Sequence, residues 1–396
     1  MEHKLLLLLL LPLVLGGTKA GGMVAVRFRQ PAVFGELLAG VLLGPTFLAL
    51  PRWDLFRDPT LWKVIEDLGE IGIILLMFYA GLESDLSRLR EMGRVSFLGA
   101  VGGAVLPFGF GYLLSHFFGY GNREALLVGS VLTATSVGVS AQTLMELGKL
   151  NSREGLIILS AAVIDDVLAL LVLSGVLALG GGEAGVRVGF LALRLAGFFF
   201  LAWVVGRYLP RVARWFFWLG EHETILLFVL LVMFLYSFLA QVVGGIAAIT
   251  GAYLAGLFMA SSEYRDLIKE KTRGFALAFF TPLFFARIGL QADARQALAL
   301  WPFALSLTLG AVFSKSVGCA LGARAGRLSW AESWRFGIGM ISRAEIALII
   351  ATLGLESGFF GKAVFSACVF MALATTLVTP PLLRLAFSTR MGVESR

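Results

Sequence analysis

Apolar runs of about the length that a helix needs to cross a bilayer, roughly 20 residues, follow one another along almost the whole chain. Short clusters of charge, proline and glycine separate them. Reading the runs between those breaks gives candidate spans at 5–26, 32–50, 64–82, 95–116, 124–147, 155–179, 187–208, 223–239, 243–261, 274–291, 299–321, 333–355 and 361–386. The predicted class is therefore an all-α polytopic membrane protein with about 13 transmembrane helices, because helices with short links satisfy every backbone group inside lipid. Little length is left for a domain outside the membrane.

The pattern repeats itself. PAVFGELLAG over 31–40 is echoed by AAITGAYLAG over 247–256, and GLESD over 81–85 by GLQAD over 289–293. The two matches run in the same order at nearly equal offsets and link spans seven apart. An odd separation turns one copy upside down, so this is an inverted repeat, the arrangement in which transporters place a site near the midplane where broken helices meet. Two spans are interrupted at matching places: Thr133–Gly138 reads TATSVG in the fifth, and Gly337–Glu345 reads GIGMISRAE in the twelfth. Small residues that pack helices explain the glycines and hydroxyls. They do not explain Arg343 and Glu345 deep in a span, whereas unwound backbone buried in protein or lining a wet cavity does.

Composition agrees with the pattern: 58% of the 396 residues are hydrophobic, 15% are charged, and mean hydropathy is +0.86. The net charge of +7 does not point to nucleic acid, because the basic residues sit in the links. Links after odd-numbered spans hold most of them, including Arg88, Arg90, Arg94, Arg207, Arg211, Arg214, Lys269, Lys271 and Arg273. By the positive-inside rule these links are cytoplasmic, which puts the N-terminus outside and the C-terminus inside. The first 20 residues resemble a cleavable leader, but the apolar run continues to Val26 before Arg27 and Arg29, so a retained first helix is expected. Cys319 and Cys368 have neither disulfide nor metal-site spacing. His222 and the charged stretch 265–273 read as cytoplasmic links rather than as sites.

Asp165 and Asp166 are the chemically informative residues. They stand in AAVIDDVLAL, about 18 Å along the helix from Arg153 at ~1.5 Å per residue, hence mid-bilayer. Carboxylates at that depth usually line an ion or proton path. A structural salt bridge would account for one acid; the adjacent second acid would still need a role. Neighbouring helical residues point about 100° apart, so the two acids take different partners. That geometry also excludes the face-to-face dyad of an intramembrane aspartyl protease. Lys315, in VFSKSVG of the eleventh span, lies at comparable depth and is the expected counter-ion of one aspartate. The other is free to bind a cation. Oxygen ligands without nearby histidine or cysteine suit a hard cation rather than a transition metal.

The VIDDV core, the TATSVG interruption, the membrane lysine in FSKSVG and the SRAEIALI stretch resemble sodium/proton antiporters of the monovalent cation:proton antiporter-2 family, NapA type, nearly end to end. The resemblance implies an inverted-repeat antiporter fold with two crossing discontinuous helices, elevator-like alternating access and a homodimer in a bacterial inner membrane. It implies a scaffold, or dimer, domain at 1–92 and 220–297, a transport core at 93–183 and 298–396, and a linker helix at 184–219. Carried across by motif, Asp166 is the main sodium ligand and Asp165 pairs with Lys315 when sodium is absent. Thr133, Thr135 and Ser136 offer further oxygens, while Arg343 and Glu345 steady the unwound backbone. No enzymatic activity and no cofactor is implied; the partners are Na+ or Li+, protons and lipid. Two alternatives stay open, a potassium/proton antiporter of the same superfamily and a cation channel.

Overall fold

A computed structural model of the chain describes residues 3–179, 184–219, 222–290, 300–356 and 358–388. No strand occurs among them. The helices are α1 (His3–Arg27), α2 (Ala32–Leu43), α3 (Pro59–Glu83), α4 (Leu86–Phe117), α5 (Asn122–Thr133), α6 (Val137–Glu146), α7 (Arg153–Leu179) and α8 (Ala184–Leu219). They continue with α9 (His222–Leu239), α10 (Ala248–Met259), α11 (Arg265–Phe275), α12 (Thr281–Leu290), α13 (Trp301–Ala325), α14 (Trp330–Gly339), α15 (Glu345–Glu356) and α16 (Lys362–Ser388).

Among the described residues, 9 helical stretches are long and apolar enough to cross a membrane. Each coincides with one of the expected spans. The remaining four expected spans fall on α2, α3, α10 and the broken α14–α15, which are short, rich in acid or interrupted. Length and composition therefore do not by themselves fix the count at 13. The second span stops at Leu43 instead of residue 50, since Gly44 turns extended and Pro45 cannot continue a helix. The ninth starts at Ala248 instead of 243, because the chain first passes through a π turn at Ala240–Gly244 and a left-handed Gly245. Several helices overrun the expected windows: α3 begins at Pro59, capped by the Asp58 carboxylate accepting from Thr60 N, and α8 runs through Leu219.

The inverted repeat is visible in helix lengths and in packing. The counterparts α2 and α10 are 12 residues each, and α7 and α16 are 27 each. The glycines of the matched motifs are the points of closest approach. A side chain at Gly40 would meet the Ala286 carbonyl at 2.7 Å, and one at Gly289 would meet Gly40 Cα at 2.7 Å. In the other copy, Gly256 lies on Phe78 and Leu82, and Gly81 on Tyr253 and Leu257. Thus α2 crosses α12 as α10 crosses α3, with the repeated glycine at each crossing. The helices α4 and α13 cross each other at Gly102 and Gly318, each against the other's carbonyl. Of the second GLQAD copy, residues 291–293 lie outside the described residues.

Helix contacts fall into two groups. α4, α5, α7, α13, α14, α15 and α16 pack on one another, with α6 held against α16 and α7. α1, α2, α3, α9, α10 and α12 form the other group, which α8 joins through α9 and α10. Between the groups run α7 against α8, α2 against α16, and the flanks of α2 and α3 against α6.

Candidate functional site

The fifth and twelfth spans are both broken mid-membrane. Between α5 and α6 the backbone is extended at Ala134 (φ −63°, ψ 143°) and Ser136 (φ −105°, ψ 112°). Between α14 and α15 residues 340–344 leave the helix. Each break exposes carbonyls at one helix end and N–H groups at the next, which in lipid require partners. The two breaks supply some of them to each other. Ser136 N donates to Ser342 O at 2.8 Å, and the Ser140 hydroxyl donates to Gly339 O at 2.6 Å.

Two cations close the carbonyl end of α5. Arg343, fully buried, donates through Nε and Nη2 to Leu132 O at 3.1 and 2.8 Å and through Nη1 to Ile341 O at 2.7 Å. Lys315 Nζ donates to Thr133 O at 2.8 Å and to both Asp165 oxygens at 2.8 and 3.1 Å, with neither side chain exposed. Positive charge at a helix C-terminus is favourable. Here it also satisfies carbonyls that would otherwise be orphaned.

Asp166 faces elsewhere, as the angular offset of neighbouring helical residues requires. Its Oδ2 accepts a 2.6 Å hydrogen bond from the Thr250 hydroxyl, on the first turn of α10. Both residues are buried. Thr250 was not singled out in the sequence. Its only signal there is that AAITGAYLAG has a hydroxyl where its repeat partner PAVFGELLAG has Phe34.

The remaining candidates divide. The Thr133 hydroxyl is spent on Gly129 O within its own helix at 3.1 Å, and Thr133 meets Lys315 through its carbonyl. The Thr135 hydroxyl is buried and makes no hydrogen bond, as does that of Ser342 in the other break. Ser136 is buried at the N-cap of α6. Glu345 opens α15, but its side chain lies outside the described residues. Thr376 on α16 donates toward Arg343 O at 2.5 Å, tying that helix to the second break.

A cavity of about 650 Å³ lies between the two helix groups. It extends from Arg343 and Ala344, past Ala247–Ile249 of the strip that carries Thr250, toward the end of α12 at Arg287 and the start of α16 at Phe365 and Ser366. Glu70 and Arg287 lie on its wall as a loose ion pair at 4.0 Å. At the opposite membrane face the groups meet directly: the Glu146 carboxylate at the end of α6 accepts from Ala32 N, the first residue of α2, at 2.6 Å.

An inverted repeat with two mutually crossing broken helices and a buried acid pair defines a membrane carrier for a monovalent cation and protons. The chain belongs to the sodium/hydrogen exchanger family, whose transmembrane-domain description matches residues 10–387. It is 36% identical over 380 residues to the Na+/H+-K+ antiporter GerN of Bacillus cereus, covering 96% of this chain and 95% of that one. It is 34% identical over 381 residues to a Na+/H+ antiporter of Enterococcus hirae, covering 95% and 96%. The solved structure of the sodium proton antiporter MjNhaP1 from Methanocaldococcus jannaschii superposes with a TM-score of 0.70 at 16% identity, covering 98% of this chain and 99% of that one. That likeness shows a shared fold.

Proposed function

We propose that this chain exchanges sodium or lithium for protons by alternating access, with proton and cation competing for Asp166. The observation that carries the reading is the division of labour between two adjacent buried acids: Asp165 pairs with Lys315 inside its own helix group, while Asp166 turns to the other group, where Thr250 donates to it. A carboxylate that holds either a proton or a cation exchanges one for the other at a single site. Asp165, Thr135, Ser136 and the break carbonyls, including that of Thr133, supply further oxygens. The unsatisfied Thr135 hydroxyl supports this ligand set. Arg343 and Glu345 hold the broken helices rather than the ion.

The two packing groups support a scaffold at 1–92 and 220–297, a moving core at 93–183 and 298–396, and α8 as the link between them. The cavity on one side and the Glu146 contact on the other fit a carrier open to a single face. Loop charge supports a reading in which that open face and the N-terminus lie outside and the C-terminus lies on the cytoplasmic side of a bacterial inner membrane, with lipid and a second copy of the chain as partners. Should Lys315 exchange a proton when sodium releases Asp165, two protons move per cation and voltage drives the cycle. Proton flux in proteoliposomes that does not respond to an imposed potential would overturn that stoichiometry.

The deciding experiment follows a pH dye in proteoliposomes that hold a proton gradient, adding sodium, lithium or potassium, with Asp166→Asn beside the unmodified protein. A sodium or lithium response abolished at least about 100-fold by the substitution is expected, since intramembrane carboxylates carry the ion path. A response to potassium alone favours the second reading, a potassium/proton exchanger, toward which the name of the Bacillus cereus relative points. No response to any cation removes the antiport reading.

A further inference from the structure

We propose that Thr250 is a lock on the empty carrier: its hydroxyl holds Asp166 against the scaffold while that carboxylate carries neither proton nor transported cation, and releases it when either one takes up the charge. The inference rests on the preceding assignment of Asp166 as the exchanging carboxylate.

The argument begins with where the two residues stand. Asp166 is at the middle of α7, which packs chiefly on α4, α5, α6, α8 and α14. Thr250 is on α10, which packs chiefly on α3, α8 and α9. Their 2.6 Å hydrogen bond therefore joins the two packing groups at the ion site itself. Any displacement of one group along the other breaks it. A bond between two buried groups, Thr250 at 2% and Asp166 at 5% exposure, is not replaced by water when it breaks.

The chemistry makes the bond sensitive to occupancy. A separation of 2.6 Å falls in the range of hydroxyl–carboxylate bonds strengthened by the anionic acceptor. Thr250 also lies in the first turn of α10, whose positive dipole end favours a negative partner. A proton on Oδ2 converts the acceptor into a donor, and a cation on Oδ2 competes for the same lone pairs. Either occupant weakens the link. The other charged groups at the site, Asp165, Lys315 and Arg343, are engaged among the helices that pack with α7, and their described bonds stay within that group. Thr250 therefore joins occupancy of Asp166 to the interface that must slide.

The consequence for exchange is direct. Antiport fails if the empty, charged carrier crosses, because sodium then moves without a returning proton. A hydrogen bond to a charged group that must be broken before movement slows that crossing by about tenfold or more, while leaving the proton- and sodium-loaded forms free to move.

The test measures tracer sodium uptake and proton release in the same proteoliposomes at saturating sodium, for the unmodified protein, Thr250→Val, Thr250→Ser and Asp166→Asn. Thr250→Val is expected to keep sodium uptake while protons released per sodium fall at least about twofold. Thr250→Ser, which retains the donor, is expected to restore the ratio. An unchanged ratio in an active Thr250→Val protein overturns the lock. So does loss of all flux in folded Thr250→Val, which would make the hydroxyl a required ligand. If Thr250→Val does not reach the membrane, Thr250→Ala carries the same comparison. Sodium uptake that persists in Asp166→Asn would instead remove the underlying assignment, so the two failures are distinguishable.

Discussion

The helices α7 and α16 are inverted counterparts of equal length, and each supports the broken helix of its own repeat, yet they do so by different chemistry. Counted from their first residues, Asp165 and Asp166 of α7 fall where α16 has Ala374 and Thr375. In the second repeat the Thr376 hydroxyl, shared with Ala372 O of its own helix at 2.7 Å, reaches the Arg343 carbonyl at the break directly, as a neutral donor. In the first repeat the Thr133 carbonyl at the break is reached by Lys315, which must itself be neutralised by Asp165. The long helix of the second repeat thus meets its break through a hydroxyl, and the charge at that break comes from Arg343 within the break itself. The two acids at the same place on α7, each costly to desolvate, answer a need beyond meeting a carbonyl, and moving a charged ion through the membrane is such a need.

The largest break in this comparison comes from Lys315→Met. It strands Asp165 without its counter-ion at a site with no exposure, and removing one partner of a buried ion pair costs about 3–5 kcal/mol. The loss is to be read from unfolding in detergent or lipid. Adding Asp165→Asn should return most of it, because a neutral pair in the same volume leaves no stranded charge. Transport is not expected to return with stability. Recovery of both would make the pair interchangeable with its neutral counterpart on α16 and erase the distinction.

Next in size is Arg343→Leu. The guanidinium satisfies Leu132 O and Ile341 O, one from each repeat, and a leucine leaves both buried carbonyls without it. A cost of about 2–3 kcal/mol follows from unpaired buried acceptors. Because Leu132 O terminates α5 beside Thr133, a fall in sodium affinity is expected with it, measured as a higher KM in the dye assay. An unaltered KM would confine Arg343 to holding the fold.

The parts of this arrangement that could be read from the chain were those that violate the lipid pattern. Two acids, a lysine and an arginine inside apolar runs stand out because each needs a reason to be there, and three of them, Asp165, Lys315 and Arg343, lie together around the α5 carbonyls. The repeat was legible because close crossings demand glycine: Gly40, Gly81, Gly256 and Gly289 belong to the matched motifs and lie at the crossings. Hydroxyls were not legible in this way. A threonine in a membrane helix costs little, since it can donate to its own helix four residues back, as Thr143, Thr308 and Thr379 do. Thr133, expected to offer an oxygen, spends its hydroxyl in that fashion and turns its carbonyl to Lys315, whereas Thr250 looks ordinary in the sequence and reaches the aspartate. Side-chain direction, set by how α10 is held on α3, α8 and α9, decides between the two fates, and no local pattern encodes it. Helix ends depart from the apolar windows for a related reason: a window reports the hydrocarbon thickness, whereas α3 and α8 extend beyond it.

The smallest effects are expected on α16, where the neutral solution sharpens the contrast. Thr376→Val removes the hydroxyl that meets Arg343 O, at about 1 kcal/mol for one neutral hydrogen bond. Thr375→Val removes a hydroxyl that donates to Ala372 O within its own helix, and about 0.5 kcal/mol or less is expected, because valine keeps the volume and the carbonyl remains within its helical turn. Thr375 is the positional counterpart of Asp166, so the pair of substitutions Thr375→Val and Asp166→Asn tests the same place in the two repeats. If charge at that place serves transport alone, Thr375→Val leaves the cation response within about twofold while Asp166→Asn eliminates it. A comparable loss in both would mean that the central position of each long helix, and not the carboxylate, limits exchange, and the asymmetry between α7 and α16 would then have no functional content.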